Sequence, residues 1–177
     1  MNRIILITIF GILTLRSIHC ITNGECDTVT AQENIDQFFT GTWYVTHSKV
    51  GARASLCDQF ETSSQDGTKY IKYSFDEGSY GTHCEGKPSN KDNPYPYDCK
   101  IESSQKNFPA GFTVVSIDSN YALVYKCAKS LSFPTDDYLV LNRQKNTEIP
   151  EEVENKLSSL GLVSSSFTSS KSECTQS

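Results

Sequence analysis

Phe38-Phe39-Thr40-Gly41-Thr42-Trp43-Tyr44-Val45-Thr46-His47-Ser48-Lys49 holds the only tryptophan of the chain, and its reading decides the fold. Aromatic and β-branched residues dominate it, which predicts a first β-strand. Strict alternation places Trp43, Val45, His47 and Lys49 on one face and Thr42, Tyr44, Thr46 and Ser48 on the other. Gly41 lets the backbone approach a neighbour where the strand begins. A tryptophan beside that glycine, needing to bury most of its surface, is expected to plug the end of a sheet or barrel.

Seven more stretches read as short strands. Ala54 to Thr62, Thr68 to Phe75, Tyr80 to Cys84, Tyr97 to Glu102, Gly111 to Asp118, Tyr121 to Cys127 and Asp137 to Arg143 are separated by turn-forming clusters. In the sixth, Phe112, Val114 and Ser116 alternate with Thr113, Val115 and Ile117. Asp66-Gly67 suits a two-residue hairpin. Gly86 to Pro96 carries three prolines and reads as a loop; a disulfide between Cys84 and Cys99 across its neck is the simplest account. Eight short strands in succession predict an all-β, eight-stranded antiparallel up-and-down barrel. The pattern then changes. Pro150 opens a segment in which Val153, Leu157 and Leu160 recur at helical spacing, acidic residues fill the first turn and Gly161 stops it. One C-terminal α-helix packed on the outside of the barrel is expected. Phe167 and Cys174 are expected to tie down the Ser-rich tail.

Residues 1–20, with Arg3 before the apolar run Ile4 to Leu15, read as a secretory signal peptide cleaved after Cys20, with Ser17 as the rival site. Residues 21–177 then form a single domain, soluble and extracellular. Without Arg3 and Arg16 the balance is 14 basic against 21 acidic residues, a net charge of −7, which argues against nucleic acid as a partner. No second long apolar run follows, so no membrane partner is expected, and a monomer is expected. Six of the seven cysteines remain: Cys26, Cys57, Cys84, Cys99, Cys127 and Cys174. An even count in a secreted chain reads as three disulfides, in one of ~15 connectivities. No C-x-x-C is present and the histidines are not spaced as ligands with any cysteine pair, so no metal site is expected. Neither a Gly-x-Ser-x-Gly nor a Ser/His/Asp arrangement occurs, so the chain is not expected to be an enzyme. No Asn-x-Ser/Thr sequon occurs.

Eight strands and a helix behind a signal peptide, with three local motifs in order, resemble the lipocalin family. Gly41-Thr42-Trp43 resembles its first motif, Asp118 stands in its second, and Arg143 matches the arginine of its third, which packs on the motif tryptophan as a cation–π pair. More narrowly, Phe38 to His47, Tyr73 to Gly78, Tyr121 to Cys127 and Tyr138 to Arg143 with Glu148-Ile149-Pro150 resemble the salivary lipocalins of blood-feeding triatomine bugs, the triabin, pallidipin and procalin group. That resemblance implies the pairings Cys26–Cys127, Cys57–Cys174 and Cys84–Cys99. It also implies saliva as the location and sequestration of a small host mediator, an eicosanoid, amine or nucleotide, as the function. The alternative it implies is a surface inhibitor of a coagulation or platelet protein, such as thrombin or a contact-phase factor, acting through the Pro-rich loop or through mouth turns near Asp66 and Asp118. A haem carrier of the family would need a proximal histidine near Ser74, and none stands there, so no cofactor is expected.

The expected pocket is the barrel interior. His47, Phe60, Tyr70, Tyr73, Phe75, Tyr125 and Tyr138 are the candidate lining. A lipid acid such as thromboxane or a prostaglandin would take its carboxylate to Lys49, Arg53, Lys72, Lys126 or the tyrosines. A cationic amine would seek Asp58, Glu61 or Asp137. The resemblance favours the lipid acid.

Overall fold

The computed structural model describes residues 26–50, 56–75, 80–87, 94–129, 134–145 and 148–173. A 3-10 turn at Ile35–Phe39 leads into strand β1, Gly41–Ser48. Seven further long strands follow: β2 (Gln59–Gln65), β3 (Thr68–Phe75), β4 (Tyr80–Gly86), β5 (Tyr95–Ile101), β6 (Asn107–Ile117), β7 (Tyr121–Lys129) and β8 (Pro134–Asn142). Each pairs antiparallel with the next, and β1 pairs with both β2 and β8, so the sheet closes into the expected eight-stranded barrel. An unforeseen two-residue strand, β9 (Thr168–Ser169), adds to β1 opposite His47 and Ser48.

The β2–β3 hairpin turns on Asp66 and Gly67, with φ of 52° and 77°. Both central residues are left-handed, as a type I′ turn requires. Helix α1 (Glu151–Ser159) is flanked by Pro150 and closed by Gly161 at φ +73°. Its Val153 and Leu157 are fully buried against Leu123, Tyr125 and Val140. It therefore covers the outer face of β7 and β8. Phe167 joins the same cluster.

Several strand bounds differ from expectation. β2 begins at Gln59, because Leu56 is held in a buried helical turn ahead of it. β5, β6 and β8 begin earlier than the alternation suggested, at Tyr95, Asn107 and Pro134. Most of the Pro-rich loop lies outside the described residues. Cys26–Cys127 and Cys84–Cys99 are both formed. Cys57 is also disulfide-bonded, while Cys174 lies outside the described residues, and with it the expected Cys57–Cys174 pairing. Among the described residues no helix is long and apolar enough to cross a membrane.

Two β-bulges reset which side chains face inward. Val45 stands opposite Leu141 and His47 opposite Val140, so Thr46 is an extra residue in β1. Val114 stands opposite Val124 and Ser116 opposite Leu123, so Val115 is extra in β6. Beyond each extra residue the alternation changes face.

Candidate functional site

The strand order gives the barrel two unlike ends. β1 starts, β8 stops, and the β2–β3 and β6–β7 hairpins turn at one end, which Trp43 closes. The Asp66 and Asp118 turns lie at this closed end, not at a mouth. Trp43 is 0% exposed. Its Nε1 donates to the Phe38 carbonyl at 2.9 Å, and the two rings stack with centroids 5.6 Å apart. The Arg143 guanidinium carbon lies 3.5 Å from the Trp43 ring centre. Its Nη1 donates to the carbonyls of Thr40 and Thr42, and its Nη2 to the Gln37 carbonyl and Thr40 Oγ1. Gly41, at φ +78°, passes beneath this fork. Asp118 Oδ1 accepts from the Asn120 and Tyr121 amides at 2.6 and 3.0 Å, and the Asn120 carbonyl accepts from the Arg143 amide. The three motif segments thus build one closed, satisfied floor.

Above the floor, the middle of the barrel is aromatic. Phe60 stacks on Tyr73 at 5.2 Å, Phe112 meets both edge-on at 6.4 and 6.3 Å, and Tyr97 meets Phe112 at 5.3 Å. Burial pushes the Tyr97 phenol up.

Toward the far end the interior turns polar. Lys126 stands on β7 between Phe112 of β6 and Asp137 of β8, and its Nζ lies 4.1 Å from the Tyr73 ring centre. Asp137, 6% exposed, accepts from Ser48 Oγ at 2.6 Å and from the Val50 amide at 3.0 Å. Burial raises its pKa, and those donors with the Lys126 charge oppose the rise. Asp58, just ahead of β2, is 4% exposed and its Oδ2 has no hydrogen-bond partner. Burial pushes its carboxyl up to about 8, against the pull of Lys126. Thr82 Oγ1, opposite Tyr73 on β4, is likewise buried and unpartnered. Such groups cost free energy unless something meets them. Among the described residues two carboxyls share one ammonium here.

Of the expected lining, the structure brings Phe60 and Tyr73 together inside the barrel. Four residues face outward instead. Tyr70 alternates with the inward Ile71 and stacks on His83 at 5.8 Å on the outer surface. Tyr125 and Tyr138 lie beside each other, 5.1 Å apart, on the outer face near α1, where Tyr125 Oη accepts from the Asp27 amide. His47 is turned outward by the Thr46 bulge and bonds to Thr46 Oγ1 through Nδ1; burial lowers its pKa. Phe75 belongs to β3, but its side chain lies outside what is described, as does Arg53. Lys49 lies over the outward Tyr138 ring, and Glu61 pairs across the outer face with Lys72. Sequence reasoning left out Phe112, Tyr97, Ser48 and Thr82. Phe112 was available from its alternation with Val114. Ser48 was not, because the bulge moves it to the inner face.

Among the described residues no cluster of His, Cys, Asp and Glu has the makings of a metal site. A family model described as Triabin matches residues 21–156. Triabin of Meccus pallidipennis is 32% identical over 161 residues, covering 87% of this chain and 99% of the relative. Procalin of Hospesneotomae protracta is 30% identical over 171 residues, covering 92% and 98%. Insecticyanin of the tobacco hornworm Manduca sexta superposes with a TM-score of 0.57 at 21% identity, covering 82% of this chain and 85% of that one.

Proposed function

The chain belongs to the triabin family, lipocalins by fold, and on that premise we propose that it is a secreted salivary carrier that sequesters a small host mediator inside its barrel and so impairs haemostasis. One observation supports this above the rest: the far half of the interior sets buried, unpartnered polar atoms of Asp58 and Thr82 against aromatic walls. An unmet buried polar atom costs about 1–3 kcal/mol, and the head group of a bound mediator would meet it. Binding rather than catalysis is the role. In its finer form the mediator is an eicosanoid, thromboxane or a prostaglandin, with its carboxylate on Lys126 and its tail along Phe60 and Phe112, and the effect is on platelet aggregation and vasoconstriction.

Calorimetry of the purified secreted protein against stable eicosanoid analogues, amines and nucleotides tests the reading. A saturable heat with roughly one ligand per barrel supports it, and flat traces across all three classes would sink it. A second reading, inhibition of a coagulation or platelet protein, draws on the outer face of β2–β4. Glu61, Tyr70, Lys72 and His83 line a groove there that α1 does not cover. Prolonged clotting by a preparation that binds no small ligand would favour this reading over the carrier.

A further inference from the structure

One edge of β1 is shared between two partners. β2 pairs with it no further than Tyr44, and the Val45 amide donating to the Asp58 carbonyl is the last link. Beyond that point β1 runs on to Ser48 beside β8, and among the described residues its other edge is covered by β9, opposite His47 and Ser48. Without it that edge would present unpaired amides and carbonyls. The cover is slight: two strand residues, then one helical turn, Ser170–Glu173, that packs on β1. Phe167, buried in the outer cluster with Val153 and Leu157, fixes where it starts.

The residue at this seam titrates. His47 is 6% exposed and stands on the outer face between Val140 and Ser169. The single hydroxyl proton of Thr46 goes to the Val140 carbonyl, 3.1 Å away, so Thr46 Oγ1 can only accept from His47 Nδ1, at 3.2 Å. Nδ1 therefore carries its proton in either charge state. Protonation adds an N–H at Nε2, which has no acceptor among the described residues, and sets a full charge where little water reaches.

We propose that β9 with the helical turn after it is an acid-released strap, held on β1 while His47 is neutral and lifted when the imidazole takes a proton at Nε2. Closed, the strap keeps water from the ring; lifted, it lets water solvate the charge. Burial lowers the His47 pKa below its usual 6.5 in the closed form. The open form therefore binds the proton more readily, and the balance moves toward it as pH falls below 6.5, levelling off below the closed-form pKa. The ionisable groups on the elements around His47 are Lys49 on β1, set over the Tyr138 ring of β8, Asp136 beside Tyr125, and the exposed Lys171 on the helical turn. Glu173 closes that turn, its side chain outside what is described. Asp137 faces the interior, and burial raises its pKa, so its titration has the opposite sign. Ser48 pairs with Thr168 and donates to Asp137, so release of the strap also loosens the wall of the far end.

Hydrogen exchange of the full secreted chain, corrected for the intrinsic pH dependence of amide exchange, tests this between neutral and mildly acid pH. Amides of β9 and of His47 and Ser48 should lose protection by roughly tenfold per pH unit within the window below the usual histidine pKa. Those of Leu123, Val124 and Tyr125 in β7 should keep theirs. His47→Gln retains an N–H donor for Thr46 but takes no charge, and it should abolish the slope. His83→Gln, on the outer face of β4, should leave the slope unchanged. Equal loss of protection in β7 and β9 would mean that acid unfolds the whole barrel, and the strap would be overturned. A slope that survives His47→Gln removes His47 as the latch. Should that variant fail to fold, an NMR titration of the His47 ring in the unaltered protein decides, since a pKa at or above the usual histidine value rules out the coupling. No readout here uses a ligand, so the outcome stands apart from the carrier reading.

Discussion

At the closed end of the barrel the Arg143 fork donates to three carbonyls and a hydroxyl while its plane covers Trp43, whereas at the far end Asp58 Oδ2 and Thr82 Oγ1 are buried with nothing to meet them. Both ends set a cation against an aromatic ring, Arg143 over Trp43 and Lys126 over Tyr73. At the closed end both guanidinium nitrogens find acceptors in the Gln37 to Thr42 segment, as charge-assisted hydrogen bonds. At the far end, among the described residues, two carboxyls stand against one ammonium. The difference separates a region that stabilises the fold from one that stores an unmet interaction, and binding sites are drawn from the second kind.

Substitutions at four positions test the contrast. The largest effect is expected from Trp43→Ala, which empties the floor; a loss of about 3–5 kcal/mol should appear in urea unfolding, and a loss below about 1 kcal/mol would mean that Trp43 is not the plug. Asp58→Asn should act in the opposite sense. The folded pKa of Asp58 is raised from 3.8 to about 8, so over that window the folded state binds more protons than the unfolded one, and stability falls as pH rises. The asparagine variant should lose that decline, and its melting temperature relative to the unaltered protein should climb steadily from acid to mildly alkaline pH. Parallel melting curves would show that Asp58 is not held protonated.

Arg143→Met keeps the length of the side chain and removes the fork; a cost of about 1.5–3 kcal/mol is expected, and Arg143→Lys should restore little of it, since one ammonium cannot serve four acceptors in a plane. The smallest effect is expected at the β2–β3 turn. Gly67→Ala at φ +77° should cost about 1–2 kcal/mol without changing ligand binding at the other end. A change in affinity there would break the separation of the two ends.

The closed end was legible in the sequence because its parts are local signals. Gly41 and Trp43 stand two residues apart in one strand, Asp-Gly at 66–67 specifies its own turn, and Pro150 and Gly161 bracket a helix whose apolar spacing is self-evident. The candidate site was legible only as a shortlist. Asp58, Asp137 and Lys126 stood on it as rival partners for opposite ligands, and nothing in the chain order says that they converge. The misplaced residues have two causes. His47 and Ser48 exchanged faces because the extra residue at Thr46 is defined by register against β8. Tyr125 and Tyr138 look like pocket lining because α1 and the segment around Cys26 make the outer face of β7 and β8 as apolar as the inner one.

By itself the sequence determined that this is an eight-stranded barrel with an outer helix, plugged by Trp43, because turn chemistry, helix periodicity and alternation are properties of neighbouring residues, while the packing of Arg143 on Trp43 came with the lipocalin resemblance. Only the tertiary structure decided which face of each strand is inside, where two bulges reverse that choice, and that Asp58, Lys126 and Asp137 share one buried space. The physical reason is that a strand's period of two is symmetric between its faces. Closure of the sheet against β1 and burial beneath α1 break that symmetry, and neither is encoded within a single strand.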